Sequence, residues 1–232
     1  MPDSSVASIV KSEVMGAGDR TFTQHDFSDL PRSAVSHALS RLAQSGILKR
    51  VSRGVYYRSR ETVFGQSIAG QWLIEQTVLD PSSRPTGISA AAFLGFTTQQ
   101  PARSHYAISK HDPTTRLKGV KLTVLRPRHE LSREEGALLE FVRDRGKWSE
   151  LSDEETITKT LKLFRDKDRF DRLARAAMAE PPRVRAIIGA IGEKIGGRKK
   201  TLAMLKRSIN LTSRYDFGKF AKLPTAKEWG GK

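Results

Sequence analysis

The stretch SAVSHALSRLAQSGILKRVSRGVYYR, residues 33–58, decides how the N-terminal part of the chain folds. Its first half places Val35, Ala38, Leu39 and Leu42 at i, i+3, i+4 and i+7, the spacing of one apolar helix face. Ser33 and Gly46 stand where a helix prefers its N-cap and its terminating glycine. Ser36, His37, Ser40, Arg41 and Gln44 fall on the opposite face. The second half holds two β-prone runs, 47–51 and 55–58, around Ser52-Arg53-Gly54, and predicts a β-hairpin.

Toward the N-terminus, Val6, Ile9, Val10 and Val14 repeat at near-helical spacing over residues 4–15, and Gly16 and Gly18 interrupt them. Thr23 is an N-cap candidate for a helix of one to two turns that stops before Pro31. Three short helices and a basic hairpin follow the order of a winged helix-turn-helix, in which the third helix enters the DNA major groove and the wing lies along the backbone. Residues 1–62 are therefore predicted to form a DNA-binding domain.

Within it, Ser33, Ser36, His37, Ser40 and Arg41 are the candidates for base-edge and phosphate contact. Arg32, at the turn before the helix, fits a phosphate clamp. Arg50, Arg53 and Arg58 in the wing are candidates for neutralising phosphates. The plain alternatives are a solvated helix face and a charged hairpin edge that resists aggregation. Strand alternation predicts that Tyr56 and Tyr57 divide between core and surface.

Toward the C-terminus, residues 61–85 hold an amphipathic stretch around Ile68, Trp72, Leu73 and Val78, then a loop over 80–85. A second domain is predicted over 66–232. SAAAFLG at 89–95 reads as a short helix between Ser89 as cap and Gly95 as terminator. Strand signals at 104–109 and 119–126 are linked through His111-Asp112-Pro113, and the pattern is helical from Ser132 onward. Ser132 with Glu135, and Ser152 with Glu155, have capping-box spacing. Val184, Ile187, Ile188, Ile191 and Ile195 form an apolar stripe, read as core, between Pro181-Pro182 and Gly196-Gly197. The expected fold class is α+β: an N-terminal winged helix-turn-helix, then a larger α+β domain with a helical C-terminal half.

The charge narrows the class of partner. The 232 residues carry 41 Lys+Arg against 25 Asp+Glu, a net +16, which points to a polyanion and first to nucleic acid. Residues 1–60 hold nine cationic and five acidic side chains, and residues 183–232 hold thirteen against three. Most of the excess is thus C-terminal, densest at Arg198-Lys199-Lys200 and Lys206-Arg207. That cluster is a candidate surface for phosphate, RNA or an acidic partner, with a solvated helix face as the plain alternative.

No stretch approaches the roughly 18 apolar residues of a membrane helix. The first residues lack the basic and apolar regions of a signal peptide, so no membrane partner and a cytoplasmic location are expected. With no cysteine and five scattered His, neither a disulfide framework nor a metal site is expected, and no cofactor is implied. His25-Asp26, His111-Asp112 and His129-Glu130 are the acid–base dipeptides, but adjacent side chains on a helix or strand diverge. The chain carries no Walker loop, His-Glu-x-x-His or Gly-x-Ser-x-Gly, nor the Gly-Ser and Asp-x-Asp pattern of a nucleotidyltransferase. A protein without catalysis of its own is expected.

Phe22-Thr23, Val35-Ser36-His37-Ala38-Leu39, the run 46–51 and Arg53-Gly54-Val55-Tyr56 together resemble the N-terminal domain of AbiEi-family antitoxins. Residues 89–99, SAAAFLGFTTQ, with Pro101-Ala102, look like the family's small-residue helix and following segment, and 120–126 like its next strand. The resemblance covers roughly residues 5–130. It implies an antitoxin of a type IV toxin–antitoxin pair in abortive infection, a phage defence, whose winged helix binds operator DNA and represses its own operon. The implied functional partner is a nucleotidyltransferase toxin, opposed either without a stable complex or by direct binding. Two other functions stand beside this one: a transcription factor whose second domain senses an effector, and a nuclease or RNA-modifying enzyme.

Overall fold

The computed structural model describes residues 5–18, 20–59, 61–63, 65–66, 79, 83–99, 101–108, 120–124 and 130–232. The chain divides into two compact units, Met1–Asp80 with Asp112–Lys118 and Pro81–His111 with Gly119–Lys232. Ile68, Trp72, Leu73, Val78 and the predicted link His111-Asp112-Pro113 lie outside the described residues.

The N-terminal unit runs α1 (Val6–Gly16), β1 (Arg20–Phe22), a 3-10 turn (Gln24–Phe27), α2 (Arg32–Gln44), β2 (Lys49–Ser52) and β3 (Val55–Arg58). The three strands form one antiparallel sheet in the order β1-β3-β2. This helix-strand-turn-helix-hairpin order is compatible with a winged helix-turn-helix, the middle helix being a single 3-10 turn. Val10 and Val14 of α1, Phe22, Phe27, the α2 stripe Val35, Ala38, Leu39 and Leu42, and Leu48 and Tyr56 close one apolar core. Burial of this kind stabilises by about 1.5–3 kcal/mol per large side chain. Thr23 caps the 3-10 turn: its hydroxyl accepts from the His25 N–H at 3.2 Å, and Asp26 accepts from the Thr23 N–H at 2.7 Å. Beyond the wing, Glu61–Thr62 (β4) and Gly65–Gln66 (β5) pair as a short antiparallel ladder.

Three local expectations change. Strand β1 was not foreseen, because three residues are too few to show alternation. Helix α2 begins at Arg32 with Pro31 in the cap position and no side-chain cap, so Ser33 lies in its first turn. Tyr56 and Tyr57 are both buried, since β3 is the middle strand of its sheet and is covered on both faces.

The C-terminal unit begins with β6 (Arg84–Pro85), α3 (Gly87–Phe93), β7 (Ser104–Ile108) and β8 (Val120–Val124). Strand β7 pairs antiparallel to β6 and parallel to β8. Residues 84–85 are thus an edge strand where a loop was expected; proline is tolerated at a sheet edge but hides the strand signal. Arg84 is 2% exposed there and its Nε donates to buried Glu140 at 3.0 Å. Ser89 is not a cap, because α3 begins two residues earlier. Its hydroxyl instead accepts from the His105 N–H at 2.8 Å and ties α3 to β7.

Five helices follow: α4 (Arg133–Arg143), α5 (Asp153–Phe164), α6 (Lys167–Ala177), α7 (Pro182–Lys194) and α8 (Lys199–Arg207). Both predicted capping boxes form, at Ser132/Glu135 and Ser152/Glu155. The stripe Val184, Ile187, Ile188 and Ile191 is fully buried, with Ile195 packed against the core. Gly189 and Gly192 interrupt it for a reason of space. A Cβ at Gly189 would overlap the Trp229 ring, and one at Gly192 the Phe170 ring.

Trp229 arrives from the end of the chain. Phe217, Phe220, Leu223, Ala226 and Trp229 recur every third residue and are all buried. Each successive N–H donates to the carbonyl three residues back, at 3.1, 3.1, 2.9 and 3.0 Å. A three-residue period of this kind is that of a 3-10 helix, in which i and i+3 eclipse and so share one face. The segment closes on itself through Tyr215 N–H to Gly230 C=O at 2.7 Å and Lys232 N–H to Tyr215 C=O at 3.0 Å. Among the described residues, no helix is long and apolar enough to cross a membrane.

Candidate nucleic-acid interface

The α2 periodicity that buries Val35, Ala38, Leu39 and Leu42 necessarily turns the other face outward. Arg32, Ser33, Ser36, His37, Arg41 and Gln44 are exposed along it, and Ser40 is half-buried. Ser36 donates to Gln24 Oε1 of the preceding turn at 3.4 Å, which adds Gln24 to the stripe. Among the described residues, the side chains of Arg32, His37 and Arg41 have no internal hydrogen bond or ion pair. Sequence periodicity alone located this face.

In the wing, Lys49 and Arg50 of β2 are exposed, and the pairing with β3 slips between Arg50 and Ser52. Arg53 sits at the tip beside Gly54, whose φ of +73° needs glycine. Lys49, Arg50 and Arg53 likewise have no internal partner among the described residues. The structure therefore adds Lys49 to the wing cations.

Arg58 is placed differently. Its Nη1 donates to the Val14 carbonyl at 2.6 Å and also reaches the carbonyls of Met15 and Ala17. These are carbonyls at the C-terminal end of α1, which have no partner within the helix and carry its partial negative charge. The wing arginine expected on phosphate is a cap for α1. Arg58→Ala is expected to lower the stability of the N-terminal unit by about 1–3 kcal/mol, because it strips the donor from partly buried carbonyls. A denaturant melt measures this; an unchanged midpoint would show that water replaces the guanidinium without loss.

The C-terminal cluster divides in the same way. Arg198 pairs with Asp168 at 2.6 Å and with Asp171, which also accepts from the Thr201 hydroxyl at 2.6 Å. Lys206 Nζ lies 5.3 Å from the Trp229 ring centroid. All five cations are exposed, but Arg198 and Lys206 are engaged within the fold, while Lys199, Lys200 and Arg207 have no internal partner among the described residues.

Burial opposes ionisation of Asp171. The hydrogen bonds from Thr201 and Arg198, with the charges of Arg198 and Arg175, outweigh it and hold the carboxyl below its ordinary 3.8. A depressed folded-state value means that the stabilisation is present above the unfolded value and is lost as pH falls through the folded one. In an acid titration, Arg198→Gln is expected to be less stable than wild type at neutral pH. The two curves should converge below the ordinary aspartate range. A gap that persists in strong acid would assign the loss to packing instead.

Of the acid–base dipeptides, Asp26 is taken up by the Thr23 cap and by Arg20 at 2.7 Å, and His25 is exposed. His111, Asp112 and His129 lie outside the described residues. Among the described residues no three His, Asp or Glu come together as a metal site. One feature of the C-terminal unit had no sequence signal: a cleft of about 460 Å³ where the start of α3, strand β8, the end of α4 and the start of α7 meet. Its lining is drawn from residues 86–183, too far apart along the chain to form a motif.

No protein-family model matches the chain, and no curated protein matches it. Among solved structures, the chain is similar to the RV2827C protein from Mycobacterium tuberculosis. The identity is 14% and the TM-score 0.48, over 87% of this chain and 80% of that one.

Proposed function

We propose that this chain is an operator-binding antitoxin that acts in the cytoplasm, without catalysis of its own. Its winged helix represses the operon that encodes it, and its larger unit counters a nucleotidyltransferase toxin. The observation that carries the DNA-binding half is the set of cations without internal partners on adjacent parts of one motif: Arg32 and Arg41 on α2, and Lys49, Arg50 and Arg53 on the wing. A recognition helix supplies base contacts and a wing supplies phosphate contacts, so each side of the motif has the chemistry its place requires. The antitoxin half rests on the AbiEi-like segments and on the exposed Lys199, Lys200 and Arg207.

The test has two arms. In a titration with duplex from its own promoter, the intact chain is expected to bind about 10³-fold or more tightly than to a scrambled duplex. Equal affinities would remove the operator from the proposal. In cells, a nucleotidyltransferase encoded in an adjacent reading frame is expected, and co-expression of this chain with it from an unrelated promoter is expected to restore growth; failure to do so while operator binding persists would favour the second reading. That reading is a transcription factor whose C-terminal unit senses a small effector, and the cleft is the observation that favours it.

A further inference from the structure

The cleft lies wholly within the C-terminal unit, and its lining carries Arg143, Arg145, Lys147 and Arg183 against the carboxylates Glu140 and Asp144. Internal ion pairs use up part of this set. Glu140 accepts from Arg84 at 3.0 Å and from Arg143 at 3.4 Å, Arg143 also lies 3.5 Å from Glu180, and Arg145 is paired with Asp216. Lys147, Arg183, Asp144 and the Trp148 indole are left facing the cleft.

Part of what these groups offer is left for a ligand. Arg183 is half-buried, and no hydrogen bond or ion pair among the described residues uses its guanidinium. Trp148 is 38% exposed, its Nε1 donates to Asp144 at 3.2 Å, and Lys147 Nζ lies 5.0 Å from its ring centroid. Burial pushes the Asp144 carboxyl above its ordinary range, against the Trp148 hydrogen bond, so that a ligand donor at this oxygen would find an acceptor poorly served by solvent. The backbone at Gly87 borders the same space. A Cβ there would stand 3.7 Å from Trp148 Nε1 and 4.0 Å from Asp144 Oδ2, so the indole and carboxylate converge on one point.

We propose that this cleft binds a nucleotide, with its phosphate against Lys147 and Arg183, its flat ring against the Trp148 indole, and an N–H or O–H donated to Asp144. A bare phosphate would leave both the indole and the Asp144 acceptor unused, and a simple carboxylate ligand meets the same objection. A nucleotide brings a phosphate, a flat ring and several donors together. The cleft is open to solvent, and its volume is within the range of small-molecule sites. The nucleotide is either free or the terminal residue of an RNA strand. The inference goes beyond operator binding and does not depend on it, because the cleft and the winged helix are in different units.

The experiment is calorimetric titration of the intact chain with each nucleoside 5′-monophosphate, with adenosine, with inorganic phosphate, and with a short single-stranded RNA bearing a free or a blocked end. Saturable one-to-one binding is expected for at least one mononucleotide or for the free RNA end. The nucleoside and the inorganic phosphate should each be weaker by about tenfold or more. Lys147→Gln and Arg183→Gln should each lose about tenfold, with Arg183→Lys losing less, while operator affinity is unchanged. Tight binding of the free nucleotide assigns a small-molecule ligand, and binding restricted to the free end assigns RNA; either supports the site. No binding of any probe by protein that still binds its operator overturns it. So does affinity indifferent to both substitutions, or inorganic phosphate binding as tightly as nucleotide. Loss of operator specificity with nucleotide binding intact would count against the proposed function and leave the cleft assignment standing.

Discussion

Trp229→Ala is expected to destabilise the C-terminal unit by about 3–5 kcal/mol, the range for removing a large aromatic side chain from a packed core. Trp229 is fully buried and lies on the backbone of α7 at Gly189, where no side chain remains to fill the vacated space. The loss should also release the 3-10 segments that bring it there, because Trp229 is the last buried position of their three-residue period. Trp229→Phe discriminates between packing and polarity. Indole Nε1 has no acceptor among the described residues, so the phenyl ring forfeits volume but no hydrogen bond and should retain most of the stability. Thermal melts of the three proteins measure this. An alanine variant as stable as wild type would mean that the C-terminal segment is an accessory and not a wall of the core.

Arg41→Ala should weaken operator binding by about 1–3 kcal/mol and relax its sequence preference, as expected for loss of a base-reading arginine. The residue is exposed on α2, has no internal partner among the described residues, and shares its face with Ser36 and His37. No internal hydrogen bond or ion pair among the described residues is lost with it. Arg53→Ala at the wing tip should instead weaken all sequences alike and lower the salt slope by about one, because a phosphate contact carries no base information. Titrations against cognate and scrambled duplex at several salt concentrations separate the two. Equal behaviour of the two variants would remove the division of labour between helix and wing.

The elements that were legible in sequence are those whose cause is local. Apolar spacing in 33–44, glycine at 46 and 54, and the Ser-x-x-Glu boxes at 132 and 152 each act within a few residues, and the structure forms an element at every one. What could not be read depends on partners far along the chain. Strands β1 and β6 are two or three residues long and exist because β3 and β7 accept them. Arg58 and Arg198 resemble free surface cations in sequence, and only the arrival of the α1 carbonyls and of Asp168 and Asp171 shows them to be engaged. The C-terminal segment is an intermediate case. Phe217, Phe220, Leu223, Ala226 and Trp229 repeat with a period of three, which belongs to neither an α-helix nor a strand and so carries no signal for either.

The most direct measurement of whether α2 and the wing read operator DNA is photocrosslinking of the intact chain to a duplex of its own promoter. A photoreactive side chain is placed in turn at His37 on α2, at Arg53 in the wing and at Lys200 on α8. Crosslinks are expected from positions 37 and 53, competed by unlabelled promoter duplex far better than by scrambled duplex. Crosslinks from position 200 alone, with positions 37 and 53 silent, would contradict the assignment and move DNA recognition to the C-terminal unit.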